Sequence, residues 1–180
     1  MKGLGHGHRD TPHPQLDERF SAPGATEADW DRIDTALTDA EVYWISTVRP
    51  PGQPHVTPLI GIWRENEYWF CTGADEQKAK NLAANARATV TTGTNVLDRG
   101  VDVVIEGKVQ VETNAPLLQT IAAQYIEKYG SGWTFDVVDG HFEHADGGRA
   151  VVYRLTPTTV FAFTKGAFSQ TRFTFERAHH

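Results

Sequence analysis

The stretch Thr72-Gly73-Ala74-Asp75-Glu76-Gln77-Lys78-Ala79-Lys80-Asn81-Leu82 constrains the chain most, because it converts a strand into a short helix and then hands back to a strand. Before it runs Glu67-Tyr68-Trp69-Phe70-Cys71, whose aromatic residues suit a pleated, half-buried surface. After it, Ala88-Thr89-Val90-Thr91-Thr92 is again β-rich. Thr72-Gly73 is a turn, and Asp75 stands where its carboxylate can cap the helix by accepting from the first free backbone amides. Amides at a helix start, the Thr72 hydroxyl and the Lys78 ammonium form a donor set of the size a phosphate needs. A short surface helix with solvated lysines has the same composition, so the reading depends on what flanks it.

The flanks read as strands with helices set between them. Residues 1–25 are rich in Gly, His and Pro and read as a flexible arm; His6, His8 and His13 suit either a metal-binding tract or a plain tail. Residues 26–180 read as one domain. A first helix starts at Thr26, with Trp30, Ile33 and Leu37 on one face. Val42–Val48 is a strand, and His55–Trp63 is another. Pro58 cannot donate to a ladder and marks an edge or bulge, while Gly61 allows close approach to the backbone. Such a strand offers main-chain groups to a planar ligand, or is an ordinary bulge on a barrel rim. Arg64-Glu65-Asn66-Glu67 is a tight polar hairpin.

Val101–Val111 is a long strand with Asp102 and Glu106 on one face, either an acid/base pair or a solvated face, and Gly107 suggests a bend. Asn114-Ala115-Pro116 opens a helix whose stripe is Leu118, Ile121, Ala122 and Tyr125, and Gly130 closes it. Residues 130–149 read as a loop, with Trp133, Phe135 and Phe142 forming a lid and His141-x-x-His144 a possible pair of metal ligands. Three β runs follow: Ala150–Leu155, Thr159–Phe163 and Thr171–Phe175. Seven or eight strands with inserted helices and no βαβ alternation predict a mainly β protein, an antiparallel barrel rather than a doubly wound sheet.

Composition excludes several classes. A formal net charge of −6 with no basic block argues against nucleic acid. No apolar run approaches the ~20 residues of a membrane span, and the N-terminus has no apolar signal core. The single cysteine, Cys71, forms no intramolecular disulfide and fits a cytoplasmic protein; its pattern is that of a small core residue rather than a nucleophile. There is no GxGxxG, Walker or Gly-x-Ser-x-Gly motif.

Four pieces carry a family likeness: Pro51-Gly52-Gln53-Pro54-His55 with its strand; Phe70-Cys71-Thr72-Gly73 with Lys78-Ala79-Lys80-Asn81-Leu82-Ala83-Ala84-Asn85-Ala86-Arg87; Ile105-Glu106-Gly107-Lys108-Val109; and Tyr153-Arg154-Leu155-Thr156-Pro157 through Thr171-Arg172-Phe173-Thr174-Phe175. In this order, from about Glu41 to Phe175, the chain resembles the pyridoxamine 5′-phosphate oxidase-like FMN-binding split β-barrel superfamily. The resemblance implies an antiparallel split β-barrel with inserted helices, a homodimer, and a flavin-type cofactor at the subunit interface. It places the backbone of Thr57, Pro58, Leu59, Ile60, Gly61 and Ile62 along the isoalloxazine. It sets Cys71, Thr72 and Lys78 at the phosphate and Arg172 at cofactor or substrate, with Trp133 and Phe163 in the pocket wall.

The chain departs from the vitamin B6 oxidases in carrying Gln77-Lys78 where they have Arg-Lys, and Thr57 or Ile62 where they have a basic residue on the second strand. The Lys-Ala-Lys-Asn-Leu helix and Thr-Arg-Phe-Thr-Phe ending resemble the actinobacterial branch that uses the reduced deazaflavin coenzyme F420, with Lys78 and Lys80 serving its anionic tail. The implied activity is an oxidoreductase passing a hydride from reduced F420, or from FMN, to an electron-poor small-molecule substrate, with no metal. The sequence shows no clear proton donor, and no catalytic residue is assigned; solvent, Tyr43 and Arg172 are the candidates. Two alternatives stand beside it: an FMN-binding pyridoxamine 5′-phosphate oxidase, and a flavin- or tetrapyrrole-binding module without turnover.

Overall fold

The structure, a computed structural model, describes residues 11–175, so His6 and His8 lie outside the described residues. Three α-helices are present there: α1 (Trp30–Asp39), α2 (Gln77–Ala84) and α3 (Ala115–Tyr129). The strands are β1 (His13–Leu16), β2 (Tyr43–Val48), β3 (Pro54–Leu59), β4 (Ile62–Arg64), β5 (Glu67–Thr72), β6 (Arg87–Gly93), β7 (Val101–Val111), β8 (Phe135–Val138), β9 (His141–His144), β10 (Arg149–Thr164) and β11 (Ser169–Thr174). Every strand pair is antiparallel. The main path runs β1-β11-β10-β7-β6-β2-β3; β5 pairs with β10, β4 with β5, and the β8–β9 hairpin joins β10 through β9. Among the described residues no helix is long and apolar enough to cross a membrane.

The spine is β10, a single strand where the sequence suggested two runs. Its register shifts between Pro157 and Thr159, where proline has no N–H for the ladder. Pro157 faces Gly107, and a Cβ on Gly107 would sit 2.4 Å from the Thr156 carbonyl oxygen, so the two strands approach too closely there for any side chain.

Two apolar clusters lie on opposite sides of β5, whose residues alternate between them. Tyr68 and Phe70 enter the larger cluster with Trp30, Ile33 and Leu37 of α1. Trp69 and Cys71 face the smaller one, under Leu118, Ile121, Ala122 and Tyr125 of α3. The stripes expected on α1 and α3 are thus both buried, and α3 carries the expected Asn114 cap, Pro116 and closing Gly130.

The differences from expectation are local. The α1 cap is Asp29, not Thr26. Part of the expected arm is ordered, since β1 pairs with β11 from His13 opposite Thr174 to Leu16 opposite Thr171. The expected 55–63 strand is broken between Leu59 and Ile62. At the break, a Cβ on Gly61 would lie 2.3 Å from the Tyr68 hydroxyl, so only glycine lets Tyr68 pass. The expected 130–149 loop holds a hairpin instead, β8–β9, turning through Asp139 and Gly140, both with positive φ.

Candidate functional site

At the turn from β5 into α2, three donors converge on one carboxylate. Thr72 Oγ1 donates to Glu76 Oε1 at 2.7 Å and the Gly73 amide donates to the same oxygen at 3.1 Å. Lys78 Nζ donates to Glu76 Oε2. Thr72 and Lys78 are buried, 4% and 8% exposed, whereas the Glu76 side chain is 53% exposed. Burial pushes the Glu76 carboxyl up, but the bonds from Lys78, Thr72 and Gly73 outweigh it and hold the group below its ordinary value. Asp75, expected to cap α2, does not; Glu76 occupies the cap position, and its side chain turns back to the Thr72–Gly73 turn instead. A cleft of about 500 Å³ opens beside the turn, lined by residues 73–76 with His141, Arg149 and Val151.

Helix α2 is tied to the strands by a polar chain absent from the sequence reading. Asn81 is fully buried; its amide donates to Thr47 Oγ1 at 2.9 Å and its carbonyl accepts from Gln77 Nε2 at 2.8 Å. Thr47 sits opposite His55 of β3, so α2 is anchored to β2 and, through it, to β3. Strand β3 ends the main path and pairs only with β2 among the described strands, which leaves its other edge free. The Thr57 hydroxyl is buried with no hydrogen-bond partner.

A row of paired residues crosses the outer face of the sheet: Pro58, Trp44, Thr91, Val104, Phe161, Arg172 and Gln15. Arg172 is therefore exposed on the same face as Pro58 and Trp44, and Phe163 stacks on Phe161 with ring centroids 6.5 Å apart. Trp133 is set apart from that row; it is exposed, meets Tyr129 edge-on and lies tilted against Phe135. Lys80 is exposed on α2, on a different side from buried Lys78.

Cys71 and Thr72 are consecutive strand residues, so their side chains leave opposite faces. Thr72 joins the Glu76 cluster, and Cys71 packs under α3 with burial pushing its thiol up to about 11, a core thiol without thiolate character at neutral pH. The break at Gly61 is held by α3. Tyr129 Oη bonds to both main-chain groups of Gly61, and Lys128 Nζ reaches the Gly61 carbonyl oxygen at 3.3 Å and Tyr43 Oη at 2.9 Å. Tyr43 is fully buried, bonds to the Leu37 carbonyl, and is held far above the ordinary tyrosine range by burial. Ile62 is buried in the smaller cluster. His141 and His144 point to opposite faces of β9, and among the described residues no three His, Cys, Asp or Glu side chains converge as metal ligands.

A family model described as pyridoxamine 5′-phosphate oxidase matches residues 30–163. No curated protein matches the chain. Among solved structures, a FAD-binding protein from Mesorhizobium loti is 18% identical over 81% of this chain and 94% of its own, with a TM-score of 0.56. The heme storage protein HutZ from Vibrio cholerae is 18% identical over 76% of this chain and 94% of its own, with a TM-score of 0.57. A conserved hypothetical protein from Mycobacterium tuberculosis is 19% identical over 76% and 85%, with a TM-score of 0.62. At these identities the likeness is one of fold.

Proposed function

The chain belongs to the pyridoxamine 5′-phosphate oxidase family, and on that premise we propose that it is a flavin-type cofactor-dependent oxidoreductase, passing a hydride from reduced F420 to an electron-poor small molecule. The observation that carries this reading is the convergence of Thr72, the Gly73 amide and Lys78 on a single anion. When bound, such a cofactor supplies the two-electron chemistry, and the protein supplies position and surroundings.

The residues present fit that group. Thr72 and Lys78 are fixed donors for its phosphate. Thr57, Pro58, Leu59 and Ile60 lie on or just beyond a free sheet edge, where main-chain groups can meet a planar ring, and the buried Thr57 hydroxyl lacks the partner that a polar ring edge would give it. Gly61 and Ile62 fix the bend rather than the edge. Lys80 serves a further anionic tail, and Arg172 with Phe163 lines the outer face for cofactor or substrate. With Tyr43 buried, the proton comes from solvent or is steered by Arg172.

The same proposal includes a homodimer. Trp44 and Val56, 49% and 52% exposed, sit on the outer face with Phe161 and Val104, and a second copy would cover them. Residues 26–180 act as one domain, the β-sheet closing as a split barrel, in the cytoplasm, as the single cysteine suggests.

One observation favours a second reading, a module that binds a flavin or tetrapyrrole without turnover: the Glu76 carboxylate already takes the Thr72, Gly73 and Lys78 donors, an arrangement that a ligand without a phosphate leaves undisturbed. Vitamin B6 oxidase activity is disfavoured, since Gln77 is spent on Asn81 and brings no charge. The test is titration of purified protein with oxidised F420, FMN and hemin, followed by fluorescence or absorbance. Micromolar F420 binding with weak FMN binding is expected; saturable binding of hemin alone supports the second reading, and no binding of F420 or FMN overturns the first.

A further inference from the structure

We propose that Glu76 is an internal competitor for the phosphate seat, so that the charge of its carboxylate sets how strongly the protein discriminates phosphorylated from unphosphorylated ligands. The inference rests on the reading of the Thr72–Lys78 turn as a cofactor's anion site. Its basis is an asymmetry within the cluster. The donors are built in: Thr72 and Lys78 are buried, and the Gly73 amide belongs to the turn itself. The acceptor is not, because the Glu76 side chain is half exposed and borders the cleft lined by Arg149 and His141.

Buried donors left without an acceptor are costly, and a buried ammonium most of all, so this seat requires an anion at all times. Glu76 supplies one that can swing into solvent. A phosphate placed on Thr72, Gly73 and Lys78 would replace all three of its bonds. It would also meet the carboxylate's charge at close range unless the side chain left, and the repulsion is only partly screened at a half-exposed site. Glu76 therefore weakens every phosphate-bearing ligand while leaving its unphosphorylated counterpart untouched.

The experiment compares wild type with Glu76→Gln on two pairs of readouts. Gln keeps an acceptor for Thr72 and Gly73 and removes the charge. Affinity for FMN relative to riboflavin is expected to rise about tenfold in E76Q, equivalent to ~1.4 kcal/mol, with riboflavin affinity unchanged. Adding Lys78→Met should abolish the gain. Independently of any flavin, inorganic phosphate should raise the thermal midpoint of E76Q more than that of wild type. An unchanged or lower FMN-to-riboflavin ratio in E76Q overturns the inference. Should neither protein bind FMN or riboflavin, the F420 titration alone decides the cofactor reading, and equal phosphate responses then overturn the role of Glu76 while a larger one in E76Q upholds it. Glu76→Ala serves in the same assays if E76Q does not fold.

Discussion

Tyr129 Oη lies 2.9 Å from the Gly61 carbonyl oxygen and accepts from the Gly61 amide at 3.1 Å, so the last residue of α3 holds both main-chain groups of the glycine where β3 gives way to β4. The bend at Gly61 leaves those groups without ladder partners, and a phenol supplies what a neighbouring strand does not. Tyr129→Phe should therefore lower stability by ~1 kcal/mol, the low end for a hydrogen bond lost at a partly buried site. It should also weaken ligand binding along β3, because the strand's exit direction is no longer fixed. Urea denaturation and a flavin titration check the two effects; a variant with an unchanged midpoint would show that the clamp contributes nothing.

Lys128 sits beside that clamp, its ammonium 5.0 Å from the Tyr43 ring centroid and 5.3 Å from that of Tyr129. Burial pulls its pKa down from 10.5 to about 8, partly offset by Asp39 and Glu41. Between those values the unfolded chain holds a proton that the folded protein has released, so stability should rise with pH from about 8 towards 10.5 and be flat below. The buried tyrosines act in the opposite sense: burial raises Tyr43 and Tyr129, so above the ordinary tyrosine value of 10.0 the folded state keeps protons that the unfolded chain loses, and stability falls. The Cys71 thiol, pushed up from 9.0 to about 11, acts in the same sense as the tyrosines from about pH 9, so the rise is best read between roughly pH 8 and pH 9. Denaturation midpoints measured across this window should slope upward in wild type and lose that rise, levelling and then falling slightly, in Lys128→Met. A level wild-type curve would mean that the ammonium is better hydrated than its surroundings imply.

The periodic elements were legible in the sequence and the site's interior was not. Leu118, Ile121, Ala122 and Tyr125 repeat at helical spacing between an Asn cap and a closing Gly, and all four are buried. Val101–Val111 has the bounds its alternation suggested. The β8–β9 hairpin was missed although Asp139-Gly140, the pair that favours positive φ, stands between Phe135, Val137 and Phe142. That Cys71 is a core residue was legible from its strand pattern; that its cover is α3, some 45 residues later in the chain, is what no local pattern encodes. Glu76 turning back onto Thr72 is a matter of side-chain direction at a helix start, where Asp75 offered the same chemistry one residue earlier.

Asn81 is the residue whose role sequence reasoning missed most plainly. It is fully buried, and both ends of its amide are used, by Thr47 and Gln77. Asn81→Ala should cost about 1–3 kcal/mol, the range for leaving buried partners unsatisfied. Because α2 would lose its polar link to β2, binding at the Thr72–Lys78 turn should weaken as well. Asn81→Asp separates the two roles of the amide: it keeps an acceptor for Gln77 but loses the donor to Thr47, and it buries a charge, so it should be at least as damaging as Ala. Thermal midpoints of both variants check this, and an Asp variant as stable as wild type would count against the assigned bonds.

Trp44 tests the outer face. It is 49% exposed and lies in the row with Pro58 and Thr91, next to exposed Val56. In an isolated subunit Trp44→Glu should change stability by no more than about 0.5 kcal/mol, as for ordinary surface substitutions. In a dimer built on this face, a carboxylate would be buried against apolar partners, at a cost of several kcal/mol. Sedimentation equilibrium should then show wild type as a dimer and W44E as a folded monomer, with cofactor affinity falling in W44E if the second copy completes the site. A dimer that survives W44E would place the contact on another surface, and a monomeric wild type would remove the homodimer from the proposal.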